Sequence, residues 1–159
     1  MNSIKSCNVI AVRMLSGQGL GNQLWCYAAA RSISEQLGAT FLVLDADKFK
    51  GKSFLDIDYY VDPHGGRFAP LEAELNLRLF KERTFFDEKL NYISSSFDER
   101  VMHLRGQYEL QGIFQSEKYF FGDLQKVKSY IRLKRECSTD ASCLSSSTCV
   151  INLRGGEYK

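Results

Sequence analysis

Ser16-Gly17-Gln18-Gly19-Leu20-Gly21-Asn22-Gln23-Leu24 stands between an apolar run, Val9-Ile10-Ala11-Val12-Arg13-Met14, and an alanine-rich run that includes Ala28-Ala29-Ala30. Three glycines at alternate positions are costly inside a regular element, because glycine loses the most backbone freedom on folding. They suit a loop that turns tightly or lets a ligand come close to the backbone. The β-branched run before them reads as a buried strand. After them a helix is expected from Asn22 or Gln23 through about Leu37, with Gly38 at its C-terminal cap. Phe41-Leu42-Val43-Leu44-Asp45 reads as a second strand ending on a carboxylate. Strand, helix and strand in this order make a βαβ unit, so a parallel sheet is expected. A glycine loop that opens a helix aims several backbone N–H groups at one point, a ready site for a phosphate or another anion. The ligand this suggests is a nucleotide or a sugar nucleotide.

The whole chain sets limits on that reading. Its 159 residues suit one domain with a real core. The hydrophobic share of 44% and the charged share of 25% are ordinary for a globular protein. A net charge of +2 is too small to argue for nucleic acid or an acidic membrane surface. There is no run of apolar residues long enough for a transmembrane helix. The first residues also lack the apolar core and cleavage site of a signal peptide, so a cytoplasmic protein is expected. Five cysteines, an odd number unevenly spread, argue against a disulfide framework.

Further along, residues 47–66 carry loop signals, with Pro63, Gly65 and Gly66 among them. Leu71, Leu75, Leu79 and Phe80 give residues 71–82 a helical spacing. Residues 83–97 read as short strands and turns without a resolved pattern. Tyr108-Glu109-Leu110-Gln111-Gly112 alternates as a strand does. Ser116 is placed to cap a short helix through Phe121, and Asp123 to cap another through Leu133. Residues 137–148, rich in Ser and Cys, read as a loop, and 149–153 as a last strand that runs into Arg154-Gly155-Gly156-Glu157. No internal repeat is present.

Three stretches carry candidate chemistry. The glycine loop partly fits a dinucleotide fold: Gly17 and Gly19 take the first two glycine positions, and Asp45 lies where a ribose-binding carboxylate would. The third glycine position is Asn22, whose amide adds a donor and an acceptor, and Gly21 is off the pattern. A plain tight turn without a ligand is the simplest alternative. In the second stretch, Gln115, Ser116 and Glu117 lie where a strand gives way to a helix and can face a cleft. There Phe114, Tyr119 and Phe120 read as core, and Ser116 also reads as an ordinary cap. In the third, Arg154 follows a buried strand and can grip a phosphate in bidentate fashion, or it can be a surface residue in a turn. His64 and His103 are isolated and read as surface or satisfied histidines. Cys137, Cys143 and Cys149 lack a nearby partner set for zinc, and no metal site is expected.

Gly19-Leu20-Gly21-Asn22-Gln23-Leu24-Trp25-Cys26-Tyr27-Ala28-Ala29-Ala30-Arg31 resembles the N-terminal signature of the alpha-1,2-fucosyltransferase family, GLGNQLFQYAAAR. Gly112-Ile113-Phe114-Gln115-Ser116-Glu117-Lys118-Tyr119-Phe120 is similar to the middle motif of that family, GYFQSEKYF. The two follow in the family's order. Asn152-Leu153-Arg154-Gly155-Gly156-Glu157 then falls where the family has its HxRRxD-type donor motif. The chain has Asn152 for the His, keeps the first Arg as Arg154, and has Gly155 for the second Arg and Glu157 for the Asp. One cationic contact to the donor is thereby missing.

The resemblance implies an α/β fold, a Rossmann-like parallel sheet with flanking helices, as in the N-terminal half of a GT-B glycosyltransferase. It implies that residues 1–159 are the acceptor-side domain of a fucosyltransferase, with the C-terminal donor domain largely absent from this chain. The implied reaction is inverting, metal-independent transfer of L-fucose from GDP-fucose to a hydroxyl of a galactoside or related acceptor glycan. No cofactor is expected beyond the donor substrate. Arg154 is expected to bind the leaving diphosphate, with Asn22, Gly19 and Gly21 meeting the donor from the facing side. Such donors matter most where charge develops. Glu157 is the candidate base for the acceptor hydroxyl. Gln23, Gln115 and Ser116 are expected on the acceptor side. Nucleic acid is not an expected partner, whereas a lipid-linked acceptor would bring the protein to the periphery of a membrane. Little or no transfer is expected from these 159 residues alone. Two other readings stay open: a non-catalytic carbohydrate-binding remnant, and a dinucleotide-binding oxidoreductase domain that would use Asp45.

Overall fold

Val9–Arg13 forms strand β1, and its first four residues are buried. The computed structural model describes residues 8–66, 69–89 and 91–135. From β1 the chain crosses the glycine loop into α1 (Leu20–Gln36) and returns through β2 (Thr40–Leu44). β2 lies parallel to β1, with Val9 opposite Thr40 and Arg13 opposite Leu44. The βαβ unit expected from the sequence is therefore present. The helix begins at Leu20, two or three residues earlier than its spacing suggested. Gly38 takes a left-handed φ of +59° just past the helix, a conformation that favours glycine.

Short elements follow: β3 (Leu55–Ile57), β4 (Tyr60–Val61), β5 (Arg78–Lys81), β6 (Thr84–Asp87), β7 (Tyr92–Ser95), β8 (Gln107–Gln111), α2 (Leu124–Ser129) and β9 (Ile131–Leu133). The main sheet has the order β4-β2-β1-β8-β5. Its β2-β1-β8-β5 part is parallel, and β4 joins antiparallel, so the sheet is mixed. β3 pairs with β9 and β6 with β7 in two separate antiparallel ribbons.

Strand alternation divides the core. Ile10, Val12, Phe41 and Val43 face α1 and join the larger cluster with Tyr27, Ile33, Phe114, Tyr119 and Tyr130. Val9, Ala11, Leu42 and Leu44 face the other way, where Tyr60, Leu75 and Leu77 cover them. The alanines at 28–30 are buried and let α1 lie close to the sheet.

Two expectations are corrected. Residues 71–82 do not form a helix. A 3₁₀ turn at Glu72–Glu74 leads into β5, and Leu71 and Leu79 are exposed while Phe80 is buried. A four-residue spacing is also two strand repeats, and the open edge of β8 takes the segment as a strand. The helix from Asp123 stops at Ser129 rather than Leu133. Ile131–Leu133 instead pairs with β3, where Arg132 bridges Asp56 and Asp58, each at 3.2 Å. The caps themselves are as expected: Asp123 accepts from the Lys126 amide at 2.9 Å, and Ser116 from the Lys118 amide. Residues 83–97, unresolved in the sequence, contain the β6–β7 hairpin. The strand expected at 149–153 and the loop at 137–148 lie outside the described residues.

Candidate functional site

The carboxyl ends of β1 and β8 lie side by side at a point where the chain order reverses. β1 hands over to α1 and β2 on one side, and β8 pairs on the other. Ligands of open α/β sheets collect in such crevices. Arg13, Gln18, Cys26, Glu109 and Gly112 line a small cavity there of about 110 Å³.

The glycine loop enters this crevice. None of Gly17, Gly19 and Gly21 has a left-handed φ, so the turn itself does not demand glycine. A side chain at Gly17 or Gly21 would meet open space. The glycines leave the backbone bare toward solvent rather than fitting it against the protein. Gly19 precedes the helix in extended conformation (φ −67°, ψ 156°), and no side chain caps α1. The helix starts its own ladder with the Gln23 amide donating to Gly19 O at 3.1 Å. The preceding amides of the first turn keep their partial positive charge at the crevice.

Arg13 closes the floor. Its guanidinium donates to both oxygens of Glu109, each at 2.9 Å, and also meets Glu72 and Asp45. Hydrogen bonds to Glu109 and Glu72 raise its pKa further above the usual arginine range. Asp45, the carboxylate a dinucleotide fold would use, sits at φ +51° and pairs with Lys48 at 2.6 Å as well as with Arg13. The Lys48 ammonium holds its pKa below the ordinary carboxylate value.

At the mouth, Gln115 Nε2 donates to Asn22 Oδ1 at 3.0 Å, and Tyr92 Oη donates to Gln115 Oε1 at 3.4 Å. Residues 93 positions apart in sequence thus meet, one from each of the two motifs quoted above. Gln23 is placed differently. It is fully buried, donates to Leu15 O and Lys48 O at 3.1 and 3.0 Å, and accepts from the Lys50 amide at 2.9 Å. It ties the glycine loop to the turn after β2 and frames the mouth instead of facing it. Ser116 caps the 3₁₀ turn at Glu117–Phe120, its plainer reading. His64 and His103 are exposed. Arg154, Glu157, Asn152 and Gly155 lie outside the described residues. Among the described residues no cluster suited to a metal ion occurs.

The loop that carries Gln115 is held by a residue the sequence did not single out. Glu82, just past β5, is buried; one oxygen accepts from the Ile113 and Phe114 amides and the other from Tyr119 Oη, all at 2.8 Å. Phe114 is thereby kept at φ +48°, rare for a bulky residue. A Cβ at Gly112 would lie 2.5 Å from Glu82 Cβ and from Glu82 Oε2, so only glycine fits. Cys26 Sγ approaches Gly112 O at 3.4 Å and ties the same loop to α1. Burial pushes that thiol up to about 12. Tyr119 Oη also accepts from the Asp98 amide at 3.0 Å. The Arg100 guanidinium beside Asp98 holds its carboxyl down to about 2.

Glu109 and Tyr92 were also missed. An arginine inside an apolar strand, Arg13, was the available signal for the charged floor; Glu82 left none beyond the glycine opposite it. Among the described residues no helix is long and apolar enough to cross a membrane. Comparison of the chain with protein-family models, curated proteins and solved structures finds no match.

Proposed function

We propose that this chain is the acceptor-side, Rossmann-like part of a GT-B glycosyltransferase that moves L-fucose from GDP-fucose to a hydroxyl of a galactoside. The observation that carries the reading is the Asn22–Gln115 hydrogen bond at 3.0 Å, because it joins the two motifs that resemble the fucosyltransferase family at one mouth. In this reading the acceptor oxygen attacks the anomeric carbon of fucose as the bond to the diphosphate breaks and GDP leaves. Charge builds on the leaving oxygen, where the bare first turn of α1 and Arg154 would meet it. The acceptor hydroxyl gives up its proton to a base, for which Glu157 is the candidate. Gln115 would orient the acceptor through its hydroxyls, and its hydrogen bond to Asn22 draws that residue, expected on the donor side, into the same role.

Saturation-transfer NMR of the chain with methyl β-galactoside and with GDP-fucose tests the binding half of the proposal. A radiolabelled-fucose assay of the native protein that carries this chain tests the transfer half. The reading expects galactoside binding that weakens in Asn22→Ala and Gln115→Ala, and transfer that is lost in Arg154→Ala. Saturation by NAD in place of GDP-fucose would overturn it in favour of the dinucleotide reading. Galactoside binding without any fucose transfer by the native protein would favour a carbohydrate-binding remnant.

A further inference from the structure

The β6–β7 hairpin carries more apolar surface than its own stability explains. Phe85, Phe86, Tyr92 and Ile93 are 58, 59, 53 and 53% exposed. A lone two-stranded ribbon gains little from side chains held in water, and clustered exposed apolar groups mark contact surfaces. Pairing sets Phe86 opposite Ile93 and Asp87 opposite Tyr92. By strand alternation Tyr92 shares a face with Phe85, and Phe86 with Ile93 lies on the other face.

Tyr92 alone among these four connects to the mouth. Its hydroxyl donates to Gln115 Oε1, and Gln115 Nε2 donates to Asn22 Oδ1. An exposed aromatic ring thus continues directly into two side-chain amides. That sequence of surfaces, an apolar plate edged by paired donors and acceptors, fits one ligand chemistry closely. A pyranose has an apolar C–H face and a rim of hydroxyls. In galactose the axial 4-hydroxyl clears one face, so that the C–H groups at carbons 3, 4 and 5 lie together. An apolar protein partner would instead meet the polar amide pair without a match for it.

We propose that Tyr92 is the stacking platform of an acceptor-sugar subsite, with the C–H face of a galactoside on its ring and the sugar's hydroxyls on Gln115 and Asn22. The subsite rests on the fucosyltransferase reading for its place in the reaction, but its chemistry stands on the hairpin and the amide chain. Phe85, on the same face, offers room for a second sugar ring of a longer acceptor.

The test is titration of the whole chain with methyl β-galactoside, followed by saturation-transfer and amide-shift NMR, in wild type, Tyr92→Ala, Tyr92→Phe and Phe86→Ala. Because Tyr92 and Phe86 are half-exposed, amide spectra should report intact folds for all. Tyr92→Ala is expected to weaken binding by about tenfold or more, Tyr92→Phe by no more than about threefold, and Phe86→Ala not measurably. Galactoside bound equally by wild type and Tyr92→Ala overturns the platform and leaves the fucosyltransferase reading standing. Equal loss in Phe86→Ala also overturns it, since the effect would then belong to the hairpin as a whole. Loss in Tyr92→Ala alone, with methyl β-glucoside bound as well as galactoside and no fucose transfer by the native protein, keeps the platform and overturns the transferase. No saturation of either sugar in wild type overturns both.

Discussion

Replacing Glu82 by alanine should unfasten the loop that presents Gln115 and show how much of the site's geometry hangs on one carboxylate. Three donors converge on it: the Ile113 amide, the Phe114 amide and the Tyr119 hydroxyl, each at 2.8 Å. They do not lose equally. The Ile113 amide is partly exposed and can turn to water. The Tyr119 hydroxyl can shift toward Ser96 O, now 3.4 Å away. The Phe114 amide is buried and stays unpaired. One orphaned buried donor costs about 1–3 kcal/mol, and two weakened bonds add about 0.5–1 kcal/mol each. Together these give a loss of about 2–5 kcal/mol. Glu82→Gln keeps the acceptor for the amides and should lose about 1–2 kcal/mol. Urea unfolding at fixed pH measures both, and the amide shifts of Ile113, Phe114 and Gln115 report the loop locally. A loss below about 1 kcal/mol in Glu82→Ala, with the Phe114 shift unmoved, would refute the claim that this carboxylate sets the loop.

Gly112→Ala should be comparably destabilising, by about 2–4 kcal/mol in the same assay, because a Cβ there lands on Glu82 Cβ, which cannot swing aside, as well as on the carboxylate oxygen that holds the loop. The Asp98 carboxyl, held down to about 2 by Arg100, binds its proton more readily in the unfolded chain. Its contribution is therefore complete above about pH 4 and is lost as pH falls through about 2. Asp98→Asn should remove about 1–2 kcal/mol near neutral pH, the figure being reduced by solvent around Arg100, and flatten the acid limb of a stability–pH curve. An acid limb unchanged in slope would contradict this. Cys26, with its thiol raised to about 12 by burial, should alkylate at pH 8 about a hundredfold or more slowly in the native chain than in urea. Mass mapping of the labelled peptide reads the rate, and equal rates would place the thiol at the surface.

The βαβ unit was legible because its signal is local: an apolar β-branched run, glycines, then an alanine-rich helical run. Gly38 could be placed for the same reason, as could the caps at Ser116 and Asp123, where one side chain serves an amide two or three residues on. β5 was not legible. Leu71, Leu75 and Leu79 fit a helix as well as two strand repeats, and only the distant edge of β8 decides between them. β9 was hidden likewise, since Ile131–Leu133 becomes a strand through β3, more than seventy residues earlier. The candidate site divides along the same line. Asn22 and Gln115 could be named from their motifs, but their meeting across 93 residues could not. Gln23 stands beside Asn22 in sequence and reads as an acceptor-side residue, as Asn22 reads as a donor contact. One helical step turns it inward, where three backbone groups occupy its amide.

The charge at the crevice points in a definite direction. A diphosphate at the first turn of α1 needs cations, and Arg13 lines the cavity together with Gln18 of the glycine loop. Yet Arg13 sits among Glu109, Glu72 and Asp45, so three carboxylates face one guanidinium. Lys48 offsets one of them through Asp45. The described floor therefore carries no spare positive charge, and a dianion bound there would meet repulsion as well as helix-dipole attraction. A sugar suffers no such repulsion, because carboxylates accept from its hydroxyls and amides both accept from and donate to them. In the proposed reading, the described floor therefore suits an acceptor better than a donor. In that reading, the counter-charge for GDP-fucose would come from outside this floor, with Arg154 the residue on which the proposal depends.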